Sequence, residues 1–186
     1  ASRVEAVYTA SLTEEERADA EAEQLEYLNG VDVSDFPPVL LEEQRFVYVT
    51  GAAFVQALYD DGGNAAVNRA LRRPPTTSEQ IQEPETWPER DPVVEVTAPS
   101  ADGEVVEEGV VGQFLIHALA SLSEDEPTPE WDGDNSVLWQ DGDRDCLRMA
   151  VAGDLEALET GLTPWVEQVG AEMEVDGDRL VVTSCR

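Results

Sequence analysis

SVLWQDGDRDCLRMAV (Ser136–Val151) and EMEVDGDRLVVTSC (Glu172–Cys185) say most about the architecture of this chain. Each holds two short runs, rich in β-branched and other apolar residues, on either side of an Asp-Gly-Asp triplet. An Asp-Gly pair between alternating segments is a strong hairpin signal, because glycine supplies the positive φ that a tight turn needs. The spacing therefore predicts strands over Ser136–Gln140 and Arg144–Val151, and again over Glu172–Val175 and Arg179–Ser184. The stretch between, Asp154 to about Val169, reads as a helix. A hairpin–helix–hairpin tail makes a small antiparallel sheet with a helix on one face.

Toward the N-terminus, Ser123–Glu130 is a polar, proline-containing loop. Val105–Leu122 reads as a helix carrying Phe114, Leu115, Ala118 and Leu119. Ser100-Ala101-Asp102-Gly103 is a turn, and Val93–Thr97 a strand by its β-branched content. Pro74-Pro75 forces an extended link. After it, Thr77 or Ser78 caps a single helical turn, Glu79–Gln82. Phe46–Tyr59 is the strongest helix, with Val47, Phe54, Val55 and Leu58 on one face. Gly62-Gly63 stops it, and Asn64 starts a short helix through Leu71. Asp32–Glu43 reads as an extended connection held by Phe36-Pro37-Pro38. Thr13-Glu14-Glu15-Glu16 is a capping box that opens a partly exposed helix ending near Asn29-Gly30. Arg3–Ala10 reads as the tail of a helix that begins upstream. The fold class is α+β, with a mainly helical N-terminal two-thirds and the small antiparallel sheet at the C-terminus. Residues 1–186 form a single domain, 1–125 mainly helical and 126–186 the sheet and helix layer.

The 186 residues are enough to bury a core without help. The formal net charge is −30, and every one of the 11 basic residues is arginine. Such a field repels nucleic acid and anionic membrane surfaces, which excludes both as expected partners. No apolar run is long enough for membrane insertion. The acids are spread along the chain, as on a solvated acidic surface.

His117 is the only histidine, so a two-imidazole HExxH site cannot be built from this chain. It is expected to be a packed or half-exposed helix residue. Cys146 and Cys185 are the only cysteines. Two cysteines cannot form a four-ligand zinc site. They are either a disulfide pinning the last strand or two separate buried thiols. The acids Asp132, Asp134, Asp141, Asp143 and Asp145 do not have the spacing of a calcium loop, and hairpin turns account for most of them.

Two longer stretches carry a resemblance. They are FVYVTGAAFVQALYDDGGNAAVNRALRRPPTTSEQIQEPETW (Phe46–Trp87) and EWDGDNSVLWQDGDRDC (Glu130–Cys146). Together they resemble the C-terminal part of the secreted zincin-like metallopeptidase homologues of actinobacteria and related bacteria. In that family a zinc-binding HExxH helix and an acidic EGDA-type motif come first. Neither is present here, and the opening ASRVEAVY is similar to the family's residues just after its acidic motif. The resemblance implies an exported, extracellular or cell-surface protein, secreted or lipid-anchored, and so favours the disulfide Cys146–Cys185. It implies a non-catalytic portion that forms a cleft wall and supports a zinc helix absent from this chain. The resemblance implies no cofactor in this chain and a place for zinc in the parent protein. Partners are then the protein's own N-terminal portion, a second copy, or a peptide or protein ligand.

The resemblance also implies cleft candidates, position by position. Family members read TEQILHP where this chain reads SEQIQEP (Ser78–Pro84), so Glu83 stands where the family has histidine. An ionised carboxylate cannot stabilise an oxyanion as a histidine could. That departure favours an alternative reading, an extracytoplasmic binding module on a degenerate peptidase scaffold. Glu79 and Gln80 match the motif. Trp131-Asp132-Gly133-Asp134 matches a recurring turn, with Asn135 in place of an arginine; Trp131 and Asp134 are its cleft candidates. Glu5 and Tyr8 lie one turn beyond the expected acidic ligand, within reach of a metal's outer sphere.

Self-repulsion across a surface of net charge −30 is relieved by screening ions. The melting temperature is expected to rise as NaCl is raised toward about 1 M. A flat or falling melting curve across that range would show that the acidic surface is not salt-adapted.

Overall fold

A computed structural model describes residues 2–32, 36–88, 93–120 and 129–186. They fall into two compact units, Ala1–Pro74 and Pro75–Arg186. The class is α+β, with helices in both units and one five-stranded antiparallel sheet in the second.

The first unit is helical. Helix α1 spans Ser2–Ser11 and α2 spans Glu14–Asn29. The capping box forms as its sequence predicts. The Thr13 hydroxyl accepts from the Glu16 amide at 3.3 Å, and the Thr13 amide donates to the Glu16 carboxylate at 2.9 Å. These bonds hold the Glu16 carboxyl below its ordinary pKa. No residue of α2 is buried, as its sparse apolar face implies. The extended connection expected at Asp32–Glu43 is corrected over its second half, where α3 runs from Pro38 to Arg45. Pro38 sits at the first helical position, where its missing N–H costs nothing and its fixed φ suits the helix. Residues 33–35 of that connection lie outside the described residues.

A single π-turn, Phe46–Thr50, leads into α4, Gly51–Arg72. Phe54, Leu58, Ala66 and Ala70 are its buried stripe, at i,i+4 intervals either side of a break. The break falls at Gly62-Gly63, with Gly63 at φ 59°, where the sequence places a stop. Val47 does not join the stripe and is exposed. The extra residue per turn in the π segment rotates it off the face it would share with Phe54 in an unbroken α-helix. The Arg3 guanidinium lies 3.3 Å from the centre of the Tyr59 ring and ties α1 to α4.

The second unit begins with a helical turn α5 (Glu79–Gln82) and a 3₁₀ turn (Pro84–Thr86). Its sheet has the order β1-β2-β3-β5-β4. Strands β2 (Trp131–Asp141) and β3 (Arg144–Gly153) form the first hairpin. Strands β4 (Glu172–Asp176) and β5 (Arg179–Cys185) form the second. The two-residue loops are Gly142-Asp143 and Gly177-Asp178, between the pairs Asp141–Arg144 and Asp176–Arg179, and their first residues, Gly142 and Gly177, take φ 65° and 66°. Helix α7 (Leu155–Val169) joins the hairpins. The Asp154 carboxylate accepts from the Glu156 and Ala157 amides at its start. Gly170 closes it in the left-handed conformation.

Two expectations fail in the segment before the first hairpin. The helix expected at Val105–Leu122 is a strand and then a shorter helix. Strand β1 is Glu104–Gly109, and α6 is Gln113–Ala120. Val105 and Val106 favour extended backbone, and β2 offers a ladder that a helix could not use. Register runs from Glu104 opposite Gln140 to Gly109 opposite Ser136, with a bulge between Val105 and Glu107. Gly112 then takes φ 86°, which delays the helix. Residues 121–128, and with them the end of that expected helix and most of the Ser123–Glu130 loop, lie outside the described residues. The strand expected at Val93–Thr97 is an extended segment with no ladder of its own. It is held by the Val94 amide donating to the Asp132 carbonyl at 2.8 Å. Gly133 is required there, since a Cβ would stand 2.2 Å from the Val94 carbonyl oxygen.

Alternation along the strands separates two cores. One face packs Trp131, Met149, Val151, Leu180 and Val182 against Ile116 of α6 and Leu158 and Leu162 of α7. On the other, Ala150, Ala152 and Val181 meet Val96. Further along, Val137, Trp139 and Cys146 pack against Ala101.

Cys146 and Cys185 stand opposite each other in the β3–β5 ladder and form a disulfide. It closes a loop across 39 positions of sequence. Replacing both cysteines by alanine is expected to lower the unfolding free energy by about 4 kcal/mol, read from urea unfolding of the oxidised parent and the variant. A loss below about 1 kcal/mol would mean that the ladder alone already fixes β5.

Candidate functional site

The second unit holds a cavity of about 780 Å³, built from three short pieces of chain. The turn α5 and the 3₁₀ turn supply Glu79, Gln82, Glu83 and Thr86. Helix α6 supplies Gln113 and His117. The entry to β2 supplies Pro129, Glu130, Trp131 and Asp132. The two motifs singled out by sequence, Ser78–Pro84 and Trp131–Asp134, thus meet at one place.

Buried hydrogen bonds fix each piece. Asp134 is only 4% exposed and accepts from three donors. The Val111 amide reaches its Oδ1 at 2.5 Å, while the Gly112 amide and the Trp131 indole reach its Oδ2 at 2.8 and 2.9 Å. One carboxylate therefore ties the approach to α6 onto β2 and sets the Trp131 ring at the cavity. The turn expected at Trp131–Asp134 is instead the first part of β2, with a register shift between Trp131 and Gly133. Asn135 donates to the Val96 carbonyl at 3.0 Å.

The Ser78 hydroxyl accepts from the Phe114 amide at 3.0 Å, joining the start of α5 to the first turn of α6. The helix-opening bond comes from Thr77 instead, whose hydroxyl accepts from the Gln80 amide. Gln80 is buried and turned inward. Its carboxamide oxygen accepts from the Thr76 amide at 3.0 Å, so it shapes the turn rather than lining the cavity. Glu83 accepts a long bond, 3.4 Å, from the Gln113 carboxamide.

His117 is half-buried. Its Nε2 lies 3.0 Å from the Pro129 carbonyl, an acceptor only, so Nε2 carries the proton and donates. Burial pushes the His117 pKa down, against the opposing pulls of the Pro129 carbonyl and the Glu83 charge. The imidazole is therefore neutral at pH 7, with Nδ1 left as an acceptor.

Of the residues singled out by sequence, Glu79, Glu83 and Trp131 line the cavity. Asp134 and Gln80 support it from within. Glu5 and Tyr8 lie on α1 in the first unit, where both are exposed. His117, Gln82, Gln113, Thr86 and Glu130 line the cavity without having been singled out for it. Gln113 and His117 are four apart on α6 and so share a face. That signal is hidden when the helix is started at Val105.

Among the described residues no group of three His, Cys, Asp or Glu side chains could hold a metal ion. The single imidazole of the cavity is already committed to a backbone carbonyl, so these residues do not fit a zinc site. No described helix is long and apolar enough to cross a membrane. No family model matches this chain, and no curated protein or solved structure matches it.

Asp134→Ala is expected to leave two backbone amides and an indole N–H without their acceptor in a buried setting. Stability should fall by about 3–5 kcal/mol, and the indole NH resonance of Trp131 should shift in an amide NMR spectrum. A loss under about 1 kcal/mol would show that water replaces the carboxylate freely.

Proposed function

We propose that this chain is the non-catalytic portion of a secreted zincin-like metallopeptidase homologue, in which it forms one wall of the substrate cleft. The observation that carries the reading is the meeting of Ser78–Pro84 with Trp131–Asp134 at one cavity. These two segments bear the resemblance, and they are far apart in sequence. Support also comes from the Cys146–Cys185 disulfide, a bond that persists in oxidising compartments outside the cytosol. Zinc, in this reading, is held by residues outside this chain, and the carboxylates of the cavity contact substrate.

A specific observation favours a second reading, a binding module without hydrolysis. Glu83 lines the cavity at the position where the family has histidine. A carboxylate there draws in positive charge and opposes the negative charge that develops on a carbonyl oxygen during amide hydrolysis.

The coding sequence immediately upstream of Ala1 separates the two. An HExxH motif and then an acidic EGD-type motif are expected under the first reading, together with about one zinc per chain and peptide hydrolysis by the product of that longer frame. Absent or replaced ligands would overturn the first reading and leave the second.

A further inference from the structure

The two ends of the Cys146–Cys185 bond have unlike surroundings. Cys146 is fully buried. Trp139 stands opposite it in the β2–β3 ladder, and Val137 and Ala101 pack with the pair. The turn that carries Ala101 lies hard against this patch, since a Cβ at Gly103 would stand 2.8 Å from a ring carbon of Trp139. Cys185, by contrast, is exposed. The β4–β5 ladder ends with Glu172 opposite Thr183, and β5 runs on past it through Ser184 to Cys185. One cysteine is therefore sealed beneath the segment that covers the sheet, and the other stands at the open end of a strand.

A second observation concerns what else holds β5. One position beyond the cysteine pair, Asp145 and Arg186 exchange both backbone bonds. The Asp145 amide donates to the Arg186 carbonyl at 2.8 Å, and the Arg186 amide donates to the Asp145 carbonyl at 2.9 Å. On the other side the ladder continues from Leu147 opposite Ser184 to Val151 opposite Leu180. The strand is thus held on both sides of the cysteines by bonds that do not depend on sulfur. Opening the disulfide needs no unfolding of the sheet.

We propose that Cys185 is a thiol-attachment site, at which a small external monothiol exchanges with the disulfide of the folded protein and stays bound. The incoming thiolate attacks the Cys185 Sγ, because reactivity toward thiols follows access. A new sulfur–sulfur bond forms there, the Sγ–Sγ bond breaks, and its electron pair leaves on the Cys146 Sγ, which then takes a proton from solvent. One disulfide is replaced by another, with no net oxidation. A second thiolate attacking the sulfur of the attached molecule would carry that molecule away as its own disulfide and leave Cys185 reduced. The proposal goes beyond both functional readings and rests on neither.

The test uses the full oxidised chain and 2-mercaptoethanol, a neutral thiol that the net charge of −30 does not repel. The thiol is mixed with its own disulfide at about pH 8, where thiolate is present. The folded protein is then treated with N-ethylmaleimide, denatured, treated with the deuterated reagent and mapped by mass spectrometry. The adduct is expected on Cys185, with Cys146 taking only the second reagent. The exchange rate should be unchanged by urea up to about 1 M, below the unfolding transition. Two single variants check the asymmetry without the bond. Cys146→Ala should react with the reagent disulfide at least about tenfold faster than Cys185→Ala.

An adduct on Cys146, or one shared equally between the cysteines, would overturn the proposal. A rate that climbs steeply with urea would overturn it too, since the bond would then open only through unfolding. So would the absence of any adduct in the folded protein when one forms in the denatured chain. Equal reactivity of the two single variants would show that burial of Cys146 gives no protection, and would remove the basis for attack at Cys185.

Discussion

The second unit is organised around the buried carboxylate of Asp134. A carboxylate that is 4% exposed is tolerable only if its lone pairs are filled, and here three N–H groups fill them. Two of those groups are consecutive amides at Val111 and Gly112, just before α6. Their capture decides where the chain stops being strand and where the helix can begin. The third is the indole of Trp131, whose ring packs on the sheet core on one side and lines the cavity on the other. Strand, helix start and cavity wall are thus set by one acceptor.

The same geometry explains why the cavity lies beside the sheet rather than on its face. Helices α6 and α7 cover one face and complete the core with their apolar residues. They pack so closely that a Cβ at Gly161 would stand 3.2 Å from that of Ala120. The segment from Val93 to Asp102 covers part of the other face. Arg148 secures it there by donating to the Ser100 carbonyl and to the Asp102 carboxylate, the latter at 2.8 Å. The corner left open is where β2 enters, α6 begins and α5 turns. Polar side chains gather at such a corner because no apolar layer reaches it.

The hairpins, α7 and the capping box of α2 were legible because each depends on local chemistry. Each hairpin turn needs only the positive φ of its own glycine, and Thr13 and Glu16 meet within one helical turn. The failures share the opposite cause. Val105–Gly109 became strand because β2, some thirty residues later, offered it a ladder. Val47 left its face because a π-turn changed the phase. Pro37-Pro38 was read for its rigidity outside helices, when one of the two opens a helix. The site was legible in part for the same reason. Motif resemblance pointed to Glu79, Glu83 and Trp131, which lie in contiguous short segments. His117 and Gln113 were hidden because their shared face exists only once α6 starts at Gln113, and that start is set by a carboxylate more than twenty residues away.

A chain with a net charge of −30 will show acidic side chains in almost any concavity, so the carboxylates around this one carry little information by themselves. The informative feature is where the donors go. Here one Gln113 amide N–H meets Glu83, and the Thr86, His117 and Trp131 donors turn back onto the protein. Burial keeps the one imidazole neutral, so it brings no positive charge to answer the carboxylates. A long-range field is screened over about 8 Å at physiological salt, whereas the short hydrogen bonds that fix these side chains are not. What is particular to this corner is therefore its local hydrogen bonding rather than the charge of the chain as a whole.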